Sequence, residues 1–144
     1  MDDDRGCDFC NYEDFKSQII FEDDMYRVIY PRRPVFDYHL MIVPVKHRRT
    51  FDELDTELAA SVPQLVRTMV ESFKEDDFLG YNIFSNNGDE SIGQTVPHFH
   101  LHMFIRYRDE EVSPYTLMNQ SERKQLSKEQ WSENFEIFKS KLSR

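Results

Sequence analysis

Glycine is scarce in this chain, four residues in 144, and proline contributes only six. That scarcity excludes a low-complexity or collagen-like chain and leaves little material for a long flexible linker. No run of about 18 apolar residues occurs, so nothing in the sequence reads as a membrane span. The first ten residues, MDDDRGCDFC, are acidic and hold no apolar stretch. They do not read as a secretory signal, and a cytoplasmic location is expected. Cations are outnumbered, 18 Lys and Arg against 27 Asp and Glu, for a net charge of −9. An acidic surface repels a polyphosphate backbone, so polymeric nucleic acid is not an expected partner; a small phosphate compound needs only a locally positive site. Cysteine appears twice, and a lone disulfide does not persist in a reducing cytosol. Cys7 and Cys10 therefore need another role.

What is present describes one globular domain spanning 1–144, with 39% hydrophobic and 14% aromatic residues, long enough to bury a core without staples. Segments 18–22 (QIIFE), 26–30 (YRVIY), 38–44 (YHLMIVP), 81–86 (YNIFSN) and 97–105 (PHFHLHMFI) are rich in Ile, Val, Tyr and Phe and are bounded by turn formers, which predicts five strands. Between the third and fourth, Leu54, Leu58, Leu65, Met69 and Phe73 recur at helical spacing and line one face. Pro63 is expected to kink or divide that helix. Near the C-terminus, Ser127 and Gln130 form an S-x-x-Q capping box, followed by Trp131, Phe135, Phe138 and Leu142 on one stripe. This second helix is expected to dock on the body or on a partner. The fold class is α+β with a mainly antiparallel sheet.

Residues 95–104, TVPHFHLHMF, hold three of the five histidines. In extended backbone, side chains alternate faces. His98, His100 and His102 then share one side, about 6–7 Å apart, while Phe99, Leu101 and Met103 share the other. The apolar row belongs in a core and the imidazole row at a polar edge. A solitary histidine is most often a surface or satisfied core residue. Three in step point to a metal site, a phosphate site or an acid–base relay. The Cys7-Asp8-Phe9-Cys10 pair by itself fits a redox motif, half of a zinc site or two buried thiols. A redox pair usually opens a helix after a strand, and no strand precedes this one.

PHFHLHMF has the form His-φ-His-φ-His-φ-φ, with φ apolar, and resembles the signature of the histidine-triad nucleotide-binding proteins. Other segments resemble that family in order: Glu22-Asp23-Asp24 its first hairpin turn, HLMIVP at 39–44 its Gly-His-x-Leu-Val/Ile-x-Pro strand, Asn86-Asn87-Gly88 its Asn-x-Gly turn, and Gly93-Gln94-Thr95 its approach to the triad. The likeness covers 7–106 and leaves 107–144 as a C-terminal extension with the second helix. It implies a five-stranded antiparallel sheet with a long helix after strand three, a homodimer, and hydrolysis at the α-phosphorus of a nucleotide conjugate, either a dinucleoside polyphosphate or a nucleoside phosphoramidate. His100 is then the nucleophile, forming a nucleotidyl-histidine. His102, Gln94 and Thr95 stabilise charge, Asn86 contacts phosphate or ribose, and His98 completes the catalytic row. In the zinc-containing, bacterial-type branch the matching ligands are Cys7, Cys10, His47 and His98, around one structural zinc per chain. Two further outcomes share these residues: a nucleotidyl transferase, and a non-catalytic nucleotide-sensing protein.

The chain also departs from the family pattern. Pro31 stands where an acidic residue or Asn holds the ribose hydroxyls, Tyr38 where Gly is common, and the loop between Gly88 and Gly93 is one residue longer than usual. Arg32 and Arg33 are either solvated or a grip on a second phosphate. Phe9, Tyr12 and Tyr30 are either base-stacking or core residues. His39 either orients the nucleophilic edge by a hydrogen bond or is simply a satisfied strand residue.

Overall fold

A computed structural model describes residues 7–108 and 124–143. The acidic residues 1–6 and the 109–123 part of the C-terminal extension lie outside them. Five strands form one antiparallel sheet: β1 (Ile19–Glu22), β2 (Tyr26–Ile29), β3 (His39–Pro44), β4 (Phe78–Phe84) and β5 (Leu101–Tyr107), in the order β1-β2-β3-β5-β4. The β1–β2 hairpin closes on Asp23, whose Oδ1 accepts from the Met25 and Tyr26 N–H groups at 2.8 and 2.7 Å. Such a carboxylate substitutes for missing ladder partners at a tight turn.

The helices are α1 (Tyr12–Phe15), α2 (Thr56–Phe73) and α3 (Lys128–Leu142). α2 runs unbroken through Pro63, against the expectation of a division. Proline leaves the Ala59 carbonyl without its helical donor, yet packing of a long apolar face holds the helix together. That face is Leu58, Val62, Val66, Met69 and Phe73. Leu54 lies just ahead of the helix and Leu65 is only partly buried. α3 starts at the expected capping box, with both reciprocal bonds made at 3.1 Å. It docks on the body: Trp131 stacks on Tyr30 at 5.5 Å and 9°, and Phe138 meets Tyr30 edge-on at 4.7 Å.

Alternation along the strands creates two cores. Tyr26, Val28, Leu40, Ile42, Leu101, Met103 and Ile105 face α2 and α3 in the larger one. Ile29 and Val43 face the other way and pack with Cys7, Phe9 and Phe15. The N-terminal segment is thereby laid across the second face of the sheet.

Candidate active site and metal centre

The histidine segment departs from the sequence expectation at its start. β5 begins at Leu101, so His98 and His100 precede the regular strand and only His102 lies on it. The reason is in the backbone bonds. His98 N–H turns to the Val96 carbonyl at 2.8 Å, and Phe99 N–H donates to the Arg48 carbonyl at 2.6 Å, in the β3–α2 connection. Pro97 has no donor to give a ladder. The alternation survives regardless: Phe99, Leu101 and Met103 enter the main core. The imidazole row is no exposed edge, because the N-terminal segment covers it; His98 is fully buried and His100 is 5% exposed. Phe9 stands edge-on to both rings, 5.9 Å from His98 and 5.4 Å from His100.

Main-chain partners fix where each ring carries its proton. A carbonyl oxygen only accepts and an N–H only donates. His98 Nε2 lies 2.9 Å from the Pro44 carbonyl, so it bears the proton and Nδ1 keeps its lone pair. His100 Nδ1 lies 2.9 Å from the His98 carbonyl, so here Nε2 keeps the lone pair. That Nε2 has no hydrogen-bond partner among the described residues. His39 Nδ1 accepts from the Val35 N–H at 3.1 Å, which leaves Nε2–H to donate to His102 Nδ1 at 2.9 Å. His102 therefore carries its proton on Nε2. Phe84 of β4 stacks on the His102 ring at 4.6 Å and 16°, opposite it in register. Burial pushes the His98 imidazole down to about 4 against the pull of the Pro44 carbonyl. Burial likewise holds His100 below the ordinary histidine value, opposed by the His98 carbonyl. An unprotonated ring beside a proton-bearing one can act as nucleophile and hydrogen-bond donor respectively.

The lone pair of His98 Nδ1 points into a second cluster. Cys7 Sγ, Cys10 Sγ, His47 Nδ1 and His98 Nδ1 all lie within 4.8 Å of one another, and this group fits a metal ion. Individual separations are 3.3 Å for Cys7–His98, 3.0 Å for Cys10–His47, 3.5 Å for Cys10–His98 and 3.2 Å for His47–His98. Bonds of about 2.0–2.3 Å in a tetrahedron put donors roughly 3.3–3.8 Å apart, and these distances lie at or just below that range. The Pro44 carbonyl behind His98 is the outer acceptor that a metal-binding imidazole usually has.

The loop before the triad is held by its own side chains. Gln94 accepts from the Gly88 N–H and donates to the Arg49 carbonyl, both at 2.6 Å. Asn87 accepts from the Phe51 N–H at 2.7 Å. Asn86 lies against Gly93, and Thr95 is exposed.

The HIT domain family matches residues 13–109. The chain belongs to the HIT-domain family. A HIT-like protein of Methanocaldococcus jannaschii is 34% identical over 109 residues, 74% of this chain and 84% of that one. Among the solved structures that share the fold are these two. One is a Zn-bound histidine triad family protein from Mycobacterium smegmatis, with TM-score 0.75 and 23% identity, covering 98% of this chain and 96% of that one. The other is a diadenosine triphosphate hydrolase of Plasmodium falciparum, with TM-score 0.60 and 22% identity over 87% of this chain and 76% of that one.

Within this HIT domain several sequence alternatives resolve. Tyr30 is core, fully buried under Trp131. Arg32 does not reach toward the histidines: its guanidinium sits 3.8 Å over the Trp131 ring and donates to Ser17 Oγ at 3.2 Å. The Pro31 carbonyl accepts from the Trp131 indole at 3.1 Å, so α3 covers the place matched to the ribose residue. His39 does orient the triad, through His102 rather than His100. The sequence carried no sign of Val35 N–H or the Pro44 and His98 carbonyls, since backbone donors and acceptors have no letter. The alternation of Phe84 with Tyr81 and Ile83 was the signal available for a ring beside His102.

Proposed function

We propose that this HIT-domain protein is a nucleotide-binding hydrolase acting at the α-phosphorus of a nucleotide conjugate, a dinucleoside polyphosphate or a nucleoside phosphoramidate. The observation that carries the reading is the proton pattern of the triad: a bare Nε2 on His100 next to an Nε2–H on His102. His100 Nε2 attacks phosphorus. The bond from phosphorus to the leaving oxygen or nitrogen breaks, and the departing group takes the electron pair and then a proton from solvent, which regains one from the water that attacks in the second step. Water attacks the nucleotidyl-histidine, the N–P bond breaks, and the nucleotide leaves. His102 Nε2–H, the Thr95 hydroxyl and the second amide hydrogen of Gln94 are the donors to the phosphoryl oxygens, with Asn86 contacting phosphate or ribose. His98 contributes its carbonyl, which holds His100.

Cys7, Cys10, His47 and His98 are read as the ligands of one structural zinc per chain. Bound there, zinc supplies a cross-link between three separate parts of the chain. Cysteines held as metal ligands rather than as a disulfide suit a reducing cytoplasm. β4 is an edge strand whose Leu79, Tyr81 and Ile83 are 47%, 43% and 47% exposed on one face, next to a groove lined by Val62, Val66 and Val70 of α2. A second copy of the chain is the proposed occupant of this apolar edge.

The test is turnover of adenylyl and guanylyl conjugates with mass-spectrometric trapping of the covalent adduct. The expected result is an adduct on His100, and loss of turnover by roughly a thousandfold or more in His100→Ala with the fold retained by circular dichroism. Tight mononucleotide binding without turnover of any conjugate would select the sensing protein, and product formed only with phosphate or a sugar phosphate would select the transferase.

A further inference from the structure

The geometry points to Phe36 and Arg106 as positioning residues of the His39–His102 proton relay; their part in catalysis rests on the reading of His102 as donor to the phosphoryl oxygens. One backbone N–H, that of Val35, decides the whole relay. Because it donates to His39 Nδ1, His39 must donate from Nε2, and His102 must accept at Nδ1 and hold its proton at Nε2. If Val35 moves away, His39 is free to carry its proton on Nδ1 and accept at Nε2. His102 then donates from Nδ1 and turns a bare Nε2 toward the substrate, where a lone pair repels a phosphoryl oxygen.

What holds Val35 in place is the next residue. Phe36 is 3% exposed and stands edge-on to Phe104 at 4.9 Å, and Phe104 stands edge-on to His39 at 4.7 Å. Over the ring of Phe36 lies the guanidinium of Arg106, 3.9 Å from its centroid. His102, Phe104 and Arg106 alternate along β5 and so share the face of the sheet that carries the relay. Arg106 is itself tied to the neighbouring strand, donating to Asn82 Oδ1 at 3.1 Å. A buried cation over a ring fixes ring position more firmly than an aliphatic contact, because the attraction is centred on the ring face. From the outer side, Asp37 pairs with Lys124 at 2.8 Å and steadies the same turn.

The experiment is long-range proton–nitrogen NMR on protein labelled with 15N histidine, which reads the tautomer of each ring, run beside steady-state kinetics on a conjugate that the wild type turns over. In the wild type, His39 and His102 should both appear as the Nε2–H form. Phe36→Leu and Arg106→Met should mix the tautomers at both histidines and lower kcat by about ten- to a hundredfold with KM little changed, the usual scale for losing an outer group that orients a histidine. Arg106→Lys, which keeps a cation over the ring, should retain most of the wild-type pattern. Unmixed Nε2–H signals in whichever of Phe36→Leu and Arg106→Met folds would overturn the proposal. Because the spectra need no substrate, mixed tautomers with unchanged kcat would uphold the positioning of the protons while removing His102 from the catalytic reading.

Discussion

Gly93 adopts a φ of +114°, a conformation that side chains rarely take, and a Cβ placed there would meet Asn86 Cγ at 2.9 Å. Two penalties coincide at one atom, and the second falls on a residue proposed to touch substrate. Gly93→Ala should therefore cost at least about 1 kcal/mol of stability and raise KM more than it lowers kcat. Chemical denaturation and steady-state kinetics check the two effects separately; an unchanged KM would detach Asn86 from substrate binding. At this scale the sequence was informative about identity and uninformative about state. Cys7, Cys10, His47 and His98 were legible together from the resemblance, and their four donor atoms do converge. Which nitrogen carries a proton was not, because the deciding partners are the Val35 N–H and the Pro44 and His98 carbonyls.

α2 is fastened to the sheet at both ends by tyrosine hydroxyls. Tyr26 donates to the Leu58 carbonyl near its start and Tyr107 donates to the Phe73 carbonyl at its last residue. The Phe73 carbonyl is among the last four of the helix, which have no intrahelical donor, so Tyr107 satisfies a group that is otherwise stranded. Removing that hydroxyl in Tyr107→Phe should lower stability by about 1 kcal/mol and the melting temperature by about 2–4 °C, with the helix retained by circular dichroism. α3 depends on a larger anchor. Trp131 is 6% exposed, stacks with Tyr30 and with Phe135 and is bonded to the Pro31 carbonyl. Trp131→Ala should cost about 3 kcal/mol or more, read in the same denaturation measurement. Strand and helix identities were readable because apolar periods of two and of three to four are written in the side chains. Their limits were not. Pro63 marked an expected break, yet five buried residues of α2 override one lost backbone bond. The expected strand start at 97 failed because His98 and Phe99 spend their N–H groups on Val96 and Arg48, contacts that no local pattern announces.

Across the whole molecule, the sheet separates a large core from a small one, and the proposed metal site belongs to the small side. α2 and α3 pack with one face in a cluster of twenty buried residues, their own included, while on the other face Cys7, Phe9 and Phe15 of the N-terminal segment pack with Ile29 and Val43 in a cluster of five. A five-residue cluster is a weak hold for a segment that lies over His100. The proposed metal site adds ligands separated by 37 residues between Cys10 and His47 and by 91 between Cys7 and His98. A bond joining such distant points restrains the chain most where little packing does so already. Removing the metal should therefore act locally. With a chelator, hydrogen exchange should quicken across residues 7–15 and the 47–51 connection, while the amides of α2 keep their protection because the large core is untouched. Zn²⁺ should restore the slow exchange, and Mg²⁺ should not, since it does not favour thiolate and imidazole donors. Turnover should fall together with the loosening of residues 7–15, because Phe9 leaves the His100 ring and the His98 carbonyl loses its fixed place. Loss of protection throughout α2 on chelation would mean that the two faces fold as one unit and that the metal supports the entire sheet.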